Sequence, residues 1–300
     1  TQTGPSSWSY FQVSLPQWVM AAVVLMAFAL RVFRLGYQEL RGDETFGFFF
    51  SQHSLAEIIR STLALREPHP VASYFLEKAW FGLAGHSEFA LRFVSVWFGV
   101  LAVALLYRLG RRLGFGTLTA TLAAALMAIS PYAIWHSQDA RMYALSLALT
   151  LASTWLALEL LRSGGRLRYG LVYVLVSWLA LQTHYFAVFV LLAQNVFVLI
   201  LALKDLPVRR VLLRWLLYQI LLGALYLPWL LVAGSTLTGY RGNGDSPAFA
   251  AMLQRALSVF GVGETVPVEQ RLAIAALAGI LLVIGAILSL IHISEPTRPY

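Results

Sequence analysis

Two adjacent carboxylates, Asp43 and Glu44, stand about ten residues after the first long apolar run of the sequence. A carboxylate beside a reacting hydroxyl group can act as a general base. The run 46–50, Phe-Gly-Phe-Phe-Phe, follows the pair, and an apolar setting raises the pKa of a carboxyl group because it disfavours the charged form. The pair therefore predicts either a general base with a raised pKa or two solvated charges on a polar loop.

A second group of candidates precedes the apolar run that begins at residue 142. Arg141 is the only arginine or lysine in the short connection 136–141, between Asp139 and Tyr143. A guanidinium at the mouth of a cavity suits a phosphate or carboxylate ligand. The alternative is an arginine that extends along the membrane interface to keep its charge in water.

Histidines supply the remaining candidates. His184 and Tyr185 occupy another short connection between apolar runs, and His69 precedes Pro70 in the long connection after the first run. A His-Tyr pair by itself is typical of an interfacial anchor. His69 beside carboxylates could bind a metal, but the spacing is not diagnostic of a metal site.

Membrane-spanning helices are the elements that must position these side chains. Of the 300 residues, 59% are apolar and 12% are charged, and the mean hydropathy is +0.71, whereas soluble domains are about half apolar and about a quarter charged. A span takes about 20 apolar residues. We predict about eight spans, at 16–33, 89–107, 115–135, 142–161, 169–182, 186–203, 211–233 and 272–293.

The basic residues predict the orientation of the spans. The net charge of +8 does not indicate a nucleic-acid partner, because the basic residues form short clusters between apolar runs. The clusters at 108–112, 162–168 and 204–214 fall on one side, the cytoplasmic side, if 182–186 is a hairpin between two spans. The N-terminus is then cytoplasmic, although Arg31 and Arg34 disagree mildly. The outward connections are 34–88, 136–141, 182–185 and 234–271.

The first outer connection, 34–88, carries half of the 14 acidic residues. Ser54 and Glu57 fit a capping box before an amphipathic helix, and a second helix is predicted at 71–84. Both are expected to lie flat on the outer membrane surface. Because ionisable residues of three outward connections fall on one side of the membrane, we predict one shared outward-facing site. The sequence has no cysteine, so thiol chemistry is excluded.

Five motifs follow one another along the chain: Asp-Glu at 43–44, His-Pro at 69–70, Ala-Leu-Arg-Phe at 90–93, Asp-Ala-Arg-Met-Tyr-Ala-Leu at 139–145 and Thr-His-Tyr-Phe at 183–186. Their order resembles the polytopic glycosyltransferases of the dolichyl-phosphate-mannose–protein mannosyltransferase and aminoarabinose-transferase type, which have the GT-C fold. The resemblance covers roughly residues 30–235. Val71 stands where many relatives have a second proline, and Asp139 stands where relatives have Glu.

The resemblance implies that a sugar passes from a polyprenyl phosphate to a protein, lipid or polysaccharide acceptor, with inversion, at the outer face of a bacterial inner membrane. Asp43 would be the general base, and Glu44 would position that base or the acceptor. Arg141 would lie near the donor phosphate. The other residues assigned to the donor and substrate pocket are Tyr143, His184, Tyr185, His69 and Asp139. No cofactor and no nucleic acid are expected, and a divalent metal stays open.

The predicted fold is therefore an all-α integral membrane protein. It is a GT-C-type bundle over 16–293, with amphipathic helices in the first outer connection. Residues 291–300 resemble non-native sequence, and we expect the native chain to continue beyond them. The competing prediction is a transporter or flippase of a lipid-linked or anionic substrate, although ionisable residues at span ends fit a transporter less well than midplane residues would. A non-catalytic membrane scaffold is the third.

Overall fold

The computed structural model describes residues 14–64, 69–204, 206–239, 248–263 and 267–294. In these residues all regular secondary structure is α-helical, which confirms the all-α prediction. The helices are α1 (Leu15–Val32), α2 (Gly42–Gln52), α3 (Leu55–Leu63), α4 (Ala72–Ala84), α5 (Glu88–Arg112), α6 (Thr117–Ile129), α7 (Pro131–Ser137), α8 (Tyr143–Arg162), α9 (Leu167–Thr183), α10 (Ala187–Lys204), α11 (Leu206–Gly239), α12 (Phe249–Val262) and α13 (Val268–Ser294).

Six described helices are long and apolar enough to cross a membrane: α1, α5, α8, α10, and most of α11 and α13. The predicted third span, 115–135, is interrupted, since α6 ends at Ile129 and α7 begins at Pro131; together the two helices count as at most one broken span. The predicted fifth span is α9, which has 17 residues. Eight spans result only if the broken pair and α9 are both counted. A helix break lies at the predicted hairpin, with α9 ending at Thr183 and α10 beginning at Ala187.

The chain forms two units. In the first, residues 1–129 and 136–241, α1 packs against α5 and α6, α5 against α8, and α9 against α8, α10 and α11. The largest apolar cluster includes Leu160, Tyr173 and Trp215. At Gly170 of α9 a Cβ atom would stand 2.0 Å from Cζ of Tyr218 of α11. This glycine therefore permits the close helix contact that membrane bundles use.

The connection 34–88, which was predicted to face outward, contains three helices where two were predicted. α3 begins as predicted, because Ser54 Oγ accepts a hydrogen bond from the Glu57 backbone N–H at 3.3 Å, and α4 lies within the predicted second helix. α2 was not predicted. Asp43 and Glu44 lie in its first turn, not on a loop, and negative charge there suits the helix dipole. A flat orientation of these helices on the membrane stays a prediction.

In the second unit, residues 130–135 and 242–300, α12 and α13 pack against each other. The ring of Tyr132 meets the ring of Phe260 edge-on, with centroids 5.1 Å apart. Of the predicted non-native tail, residues 291–294 continue α13, and residues 295–300 lie outside the described part of the chain.

Candidate functional site

Side chains from the three groups of candidate residues in the sequence analysis meet in the first unit. Asp43 comes from the first turn of α2, His69 precedes α4, Arg141 precedes α8, and His184 directly follows α9. Arg141 Nη1 donates to the backbone carbonyl of Asp43 at 3.3 Å, and Arg141 Nη2 lies 3.4 Å from His69 Nδ1. The ring centroids of His69 and His184 are 5.9 Å apart. The structure thus brings together residues from three of the four connections that were predicted to face outward.

Arg141 is the centre of this group. Its guanidinium is buried, Nη1 donates to the hydroxyl oxygen of Tyr74 at 3.3 Å, and Nε lies 3.8 Å from Oδ2 of Asp43. An arginine that extends along the interface would keep its guanidinium in water, so burial excludes that alternative. Tyr74 was not among the predicted site residues, and the structure makes it a direct partner of Arg141.

The Asp43 carboxylate is the solvent-exposed acid of the site. Its side chain is 54% exposed, and Oδ1 accepts the backbone N–H of Glu44 at 3.1 Å. Oδ2 faces the Arg141 guanidinium at a distance longer than a close ion pair. An exposed carboxylate oxygen beside a fixed cation can accept a proton from an incoming hydroxyl group.

The carboxylate of Glu44, by contrast, is buried and fully hydrogen-bonded. It accepts two hydrogen bonds of 2.8 Å from Arg92, as well as the backbone N–H groups of Ala140 and Arg41 at 2.9 Å each. Burial alone raises the pKa of this carboxyl group, but the hydrogen bonds from Arg92 and the two N–H groups outweigh burial and lower the pKa to about 2. The raised pKa predicted from the phenylalanine run is therefore wrong for Glu44, whose geometry suits positioning.

Arg92, the partner of Glu44, was missed as a site residue. Besides Glu44 it donates to the carbonyl oxygens of Leu35 at 3.0 Å, Gln38 at 2.8 Å and Glu39 at 3.0 Å. Arg92 therefore holds the segment between α1 and α2. The available signal was an arginine at the fifth position of an apolar span, since ionisable residues within spans are costly and rarely without a role.

Asp139 joins the segment before α8 to the start of α2. It is buried, and its Oδ1 lies 3.1 Å from Nη2 of Arg41, the residue that precedes α2. Burial raises the pKa of Asp139 to about 7, although the Arg41 charge opposes that shift. Close to neutral pH this carboxyl group therefore exchanges a proton.

Both histidines of the group present a hydrogen-bond donor. Arg141 can only donate, so Nδ1 of His69 accepts; Nδ1 of His184 accepts the backbone N–H of Phe186 at 3.2 Å. In the neutral form each ring must then carry its proton on Nε2. Burial, together with His69 and the Arg141 charge, lowers the pKa of His184, which favours the neutral ring.

Two tyrosines complete the predicted set. The ring of Tyr143 lies 6.3 Å from the ring of His184 and 4.6 Å from that of His136, a residue the sequence did not single out. The hydroxyl oxygen of Tyr185 accepts a hydrogen bond from Nε1 of Trp229 in α11 at 3.4 Å. Within the described residues there is no group of three or more His, Asp or Glu side chains that could hold a metal ion.

The sequence model of the family described as dolichyl-phosphate-mannose-protein mannosyltransferase matches residues 67–231, which is more than half of the chain. The match includes His69, Arg92, Arg141 and His184, and it begins after Asp43 and Glu44. Among curated proteins none matches the chain.

Proposed function

Because the chain belongs to the dolichyl-phosphate-mannose-protein mannosyltransferase family, we propose that it transfers a sugar from a polyprenyl phosphate to an acceptor at the outer face of the membrane, with inversion, and that Asp43 is the general base. The family indicates a membrane glycosyltransferase with a lipid-linked sugar donor. The observation that carries the finer proposal is the half-exposed Asp43 carboxylate 3.8 Å from the buried Arg141 guanidinium.

The proposed reaction uses the two groups in turn. The acceptor nucleophile gives its proton to Oδ2 of Asp43 while it attacks the anomeric carbon of the donor sugar. The bond from that carbon to the phosphate oxygen breaks, and the polyprenyl phosphate leaves with the electron pair. Arg141 offsets the growing negative charge on the phosphate, because a fixed cation in a site with little water stabilises charge that develops in the transition state.

The neighbouring residues support this arrangement. The Nε2–H groups of His69 and His184 are further donors for phosphate oxygens, and Tyr143 lies beside His184. Glu44 fixes the start of α2 through Arg92 and Ala140, so it orients the turn that carries Asp43. The acceptor class, the sugar and a bacterial inner membrane stay predictions.

The test is release of polyprenyl phosphate by the purified protein in vesicles that contain the polyprenyl-phosphate sugars extracted from its source membranes, with the protein, lipid and polysaccharide fractions of the same source added as acceptors. Asp43→Asn removes the base and should slow release by about a thousandfold. The control is Glu39→Gln, an exposed acid of the same connection, which should leave release unchanged. Release at the wild-type rate by Asp43→Asn contradicts the base assignment. Lipid movement across the vesicle without bond cleavage would favour the transporter.

A further inference from the structure

The end of α6 leaves backbone carbonyls without hydrogen-bond partners inside the helix. In a helix the carbonyl of residue 127 accepts the N–H of residue 131, but Pro131 has no N–H to donate. Helix C-termini in any case leave their last carbonyls without partners inside the helix, and such carbonyls need donors from elsewhere when they are buried.

Arg31 supplies those donors. It is completely buried, its Nη2 donates to the carbonyl of Met127 at 3.3 Å, and its Nη1 donates to the carbonyl of Ala128 at 3.0 Å. Its Nε donates to Ser137 Oγ at 3.0 Å. A cation at a helix C-terminus is stabilised by the helix dipole. Arg31 is therefore a cap on α6, which explains why it disagreed with the other charges that set the orientation.

Gln138 in turn caps the C-terminal end of α1. Its Nε2 donates to the carbonyl of Phe33 at 2.8 Å and to that of Arg31 at 3.1 Å, and lies 3.5 Å from that of Leu30. These carbonyls lie at or just beyond the end of α1. The end of α6 is thus capped by a side chain from the end of α1, and the end of α1 is capped by the residue that follows α7.

Gly99 of α5 makes room for this exchange. A Cβ atom at Gly99 would stand 2.1 Å from Ser137 Oγ and 3.0 Å from Arg31 Nε. The distance to Ser137 Oγ is too short for a real Cβ atom and the distance to Arg31 Nε is at the lower limit, so the absence of a Cβ atom in α5 is what allows Arg31 and Ser137 to meet.

We propose that Gln138 is a positioning residue, which with Arg31 forms a pair of helix caps and thereby holds the segment 139–141 against α2. Asp139 follows Gln138 directly and pairs with Arg41, and the backbone N–H of Ala140 binds Glu44. The segment from α1 to α2 starts at the other cap. The two chain segments that bring Arg141 to Asp43 therefore both start at this pair.

Gln138→Glu is the sharpest test, because it keeps the side-chain shape and replaces two N–H donors with a carboxylate that repels the carbonyls. Gln52→Glu, on the exposed last position of α2, is the matched control. Gln138→Met removes the donors without adding charge and covers the case in which Gln138→Glu does not fold.

The first readout does not depend on activity. The chain has no cysteine, so spin labels can be placed at Phe33→Cys and Leu147→Cys, which replace exposed side chains of the α1 end and of α8. The distribution of distances between the labels should broaden in Gln138→Glu and Gln138→Met and stay unchanged in Gln52→Glu. An unchanged distribution in both Gln138 variants overturns the inference, whatever the activity.

The second readout rests on the proposed function. Displacement of Arg141 should raise the KM for the polyprenyl-phosphate sugar about tenfold, with kcat changed by less than about threefold. A broadened distribution with an unchanged KM overturns the positioning role. If the wild-type protein releases no polyprenyl phosphate, the proposed function fails, while a broadened distribution still supports the caps.

Discussion

Two polar clusters of the first unit differ in whether their polar atoms are paired inside the protein or exposed to an incoming ligand. The network among α8, α9, α10 and α11 is built from neutral side chains that bind one another. The Tyr173 hydroxyl group donates to Gln194 Oε1 at 2.9 Å, and Gln219 Nε2 donates to the Tyr173 oxygen at 3.1 Å. Gln194 Nε2 donates to Ser153 Oγ at 3.1 Å, and Ser153 Oγ lies 2.9 Å from Ser177 Oγ.

The candidate site contains a buried, fully paired group and a partly exposed group side by side. Its inner part, Glu44 with Arg92, is buried and closed like the network. Its outer part, Asp43 with Arg141, combines charge with an exposed carboxylate oxygen. Polar groups inside a bundle therefore do not by themselves indicate chemistry, because most exist to satisfy each other. Charge at an open face, held by a closed layer behind it, is the better indicator.

The largest effect is expected where the closed layer of the site is broken. Arg92→Met leaves the Glu44 charge buried without its main partner and should reduce the free energy of unfolding by about 3–5 kcal/mol. Transfer should be lost as well. Thermal unfolding in detergent measures the first effect, with the exposed Arg60→Met as control. Unfolding temperatures that match the wild type would show that this pair does not hold the site.

Substitutions in the outer part of the site, Asp43 with Arg141, should change the affinity for the donor and not the stability of the fold. Arg141→Lys keeps the charge but loses the guanidinium donors that bind Tyr74 and the Asp43 carbonyl. We expect the donor KM to rise about thirtyfold, since a lysine cannot replace a planar multi-donor group. Initial rates over a donor concentration series measure this change. An unchanged KM would remove Arg141 from the donor site.

Asp139 lies between the two layers and should make stability depend on pH. Its pKa is raised from 3.8 to about 7 in the folded protein. The fold therefore favours the protonated acid, and this contribution, complete below pH 3.8, is lost as the pH rises towards 7. Asp139→Asn stays neutral, so its unfolding temperature relative to the wild type should increase from pH 4 to pH 8. An equal difference at both values would contradict the shift.

The smallest effect is expected in the network. Tyr173→Phe removes the hydroxyl group that links Gln194 and Gln219, and such hydrogen bonds between membrane helices are worth about 0.6 kcal/mol on average. Thermal unfolding should show a slight loss of stability, while transfer stays at the wild-type rate. A large loss of transfer without a loss of stability would remove the distinction between the network and the site.

The sequence predicted the features that depend on composition and on local spacing. Apolar runs indicated the helices, the arginine clusters indicated the hairpin before Ala187, and parity of the spans placed His69, Arg141 and His184 on one side. α2 was missed because the aromatic run after Glu44 has no clear helical or alternating period.

The contacts that shape the site could not be predicted from one sequence. Arg92 and Glu44 are 48 positions apart, and Arg31 and Ser137 are 106 apart, so no local pattern connects them. The wrong pKa direction for Glu44 has the same origin. Its neighbours in sequence are phenylalanines, but its neighbour in space is a guanidinium, and the latter decides the charge state.

Asp43 is proposed to be the general base in sugar transfer from a polyprenyl phosphate. The most direct measurement is the pool of polyprenyl-phosphate sugars in lipid extracts of cells that carry Asp43→Asn or Glu39→Gln in place of the wild-type protein, at equal protein levels. Mass spectrometry should find one such lipid accumulated in the Asp43→Asn cells and at its normal level in the Glu39→Gln cells. Equal pools in both variants would contradict the claim.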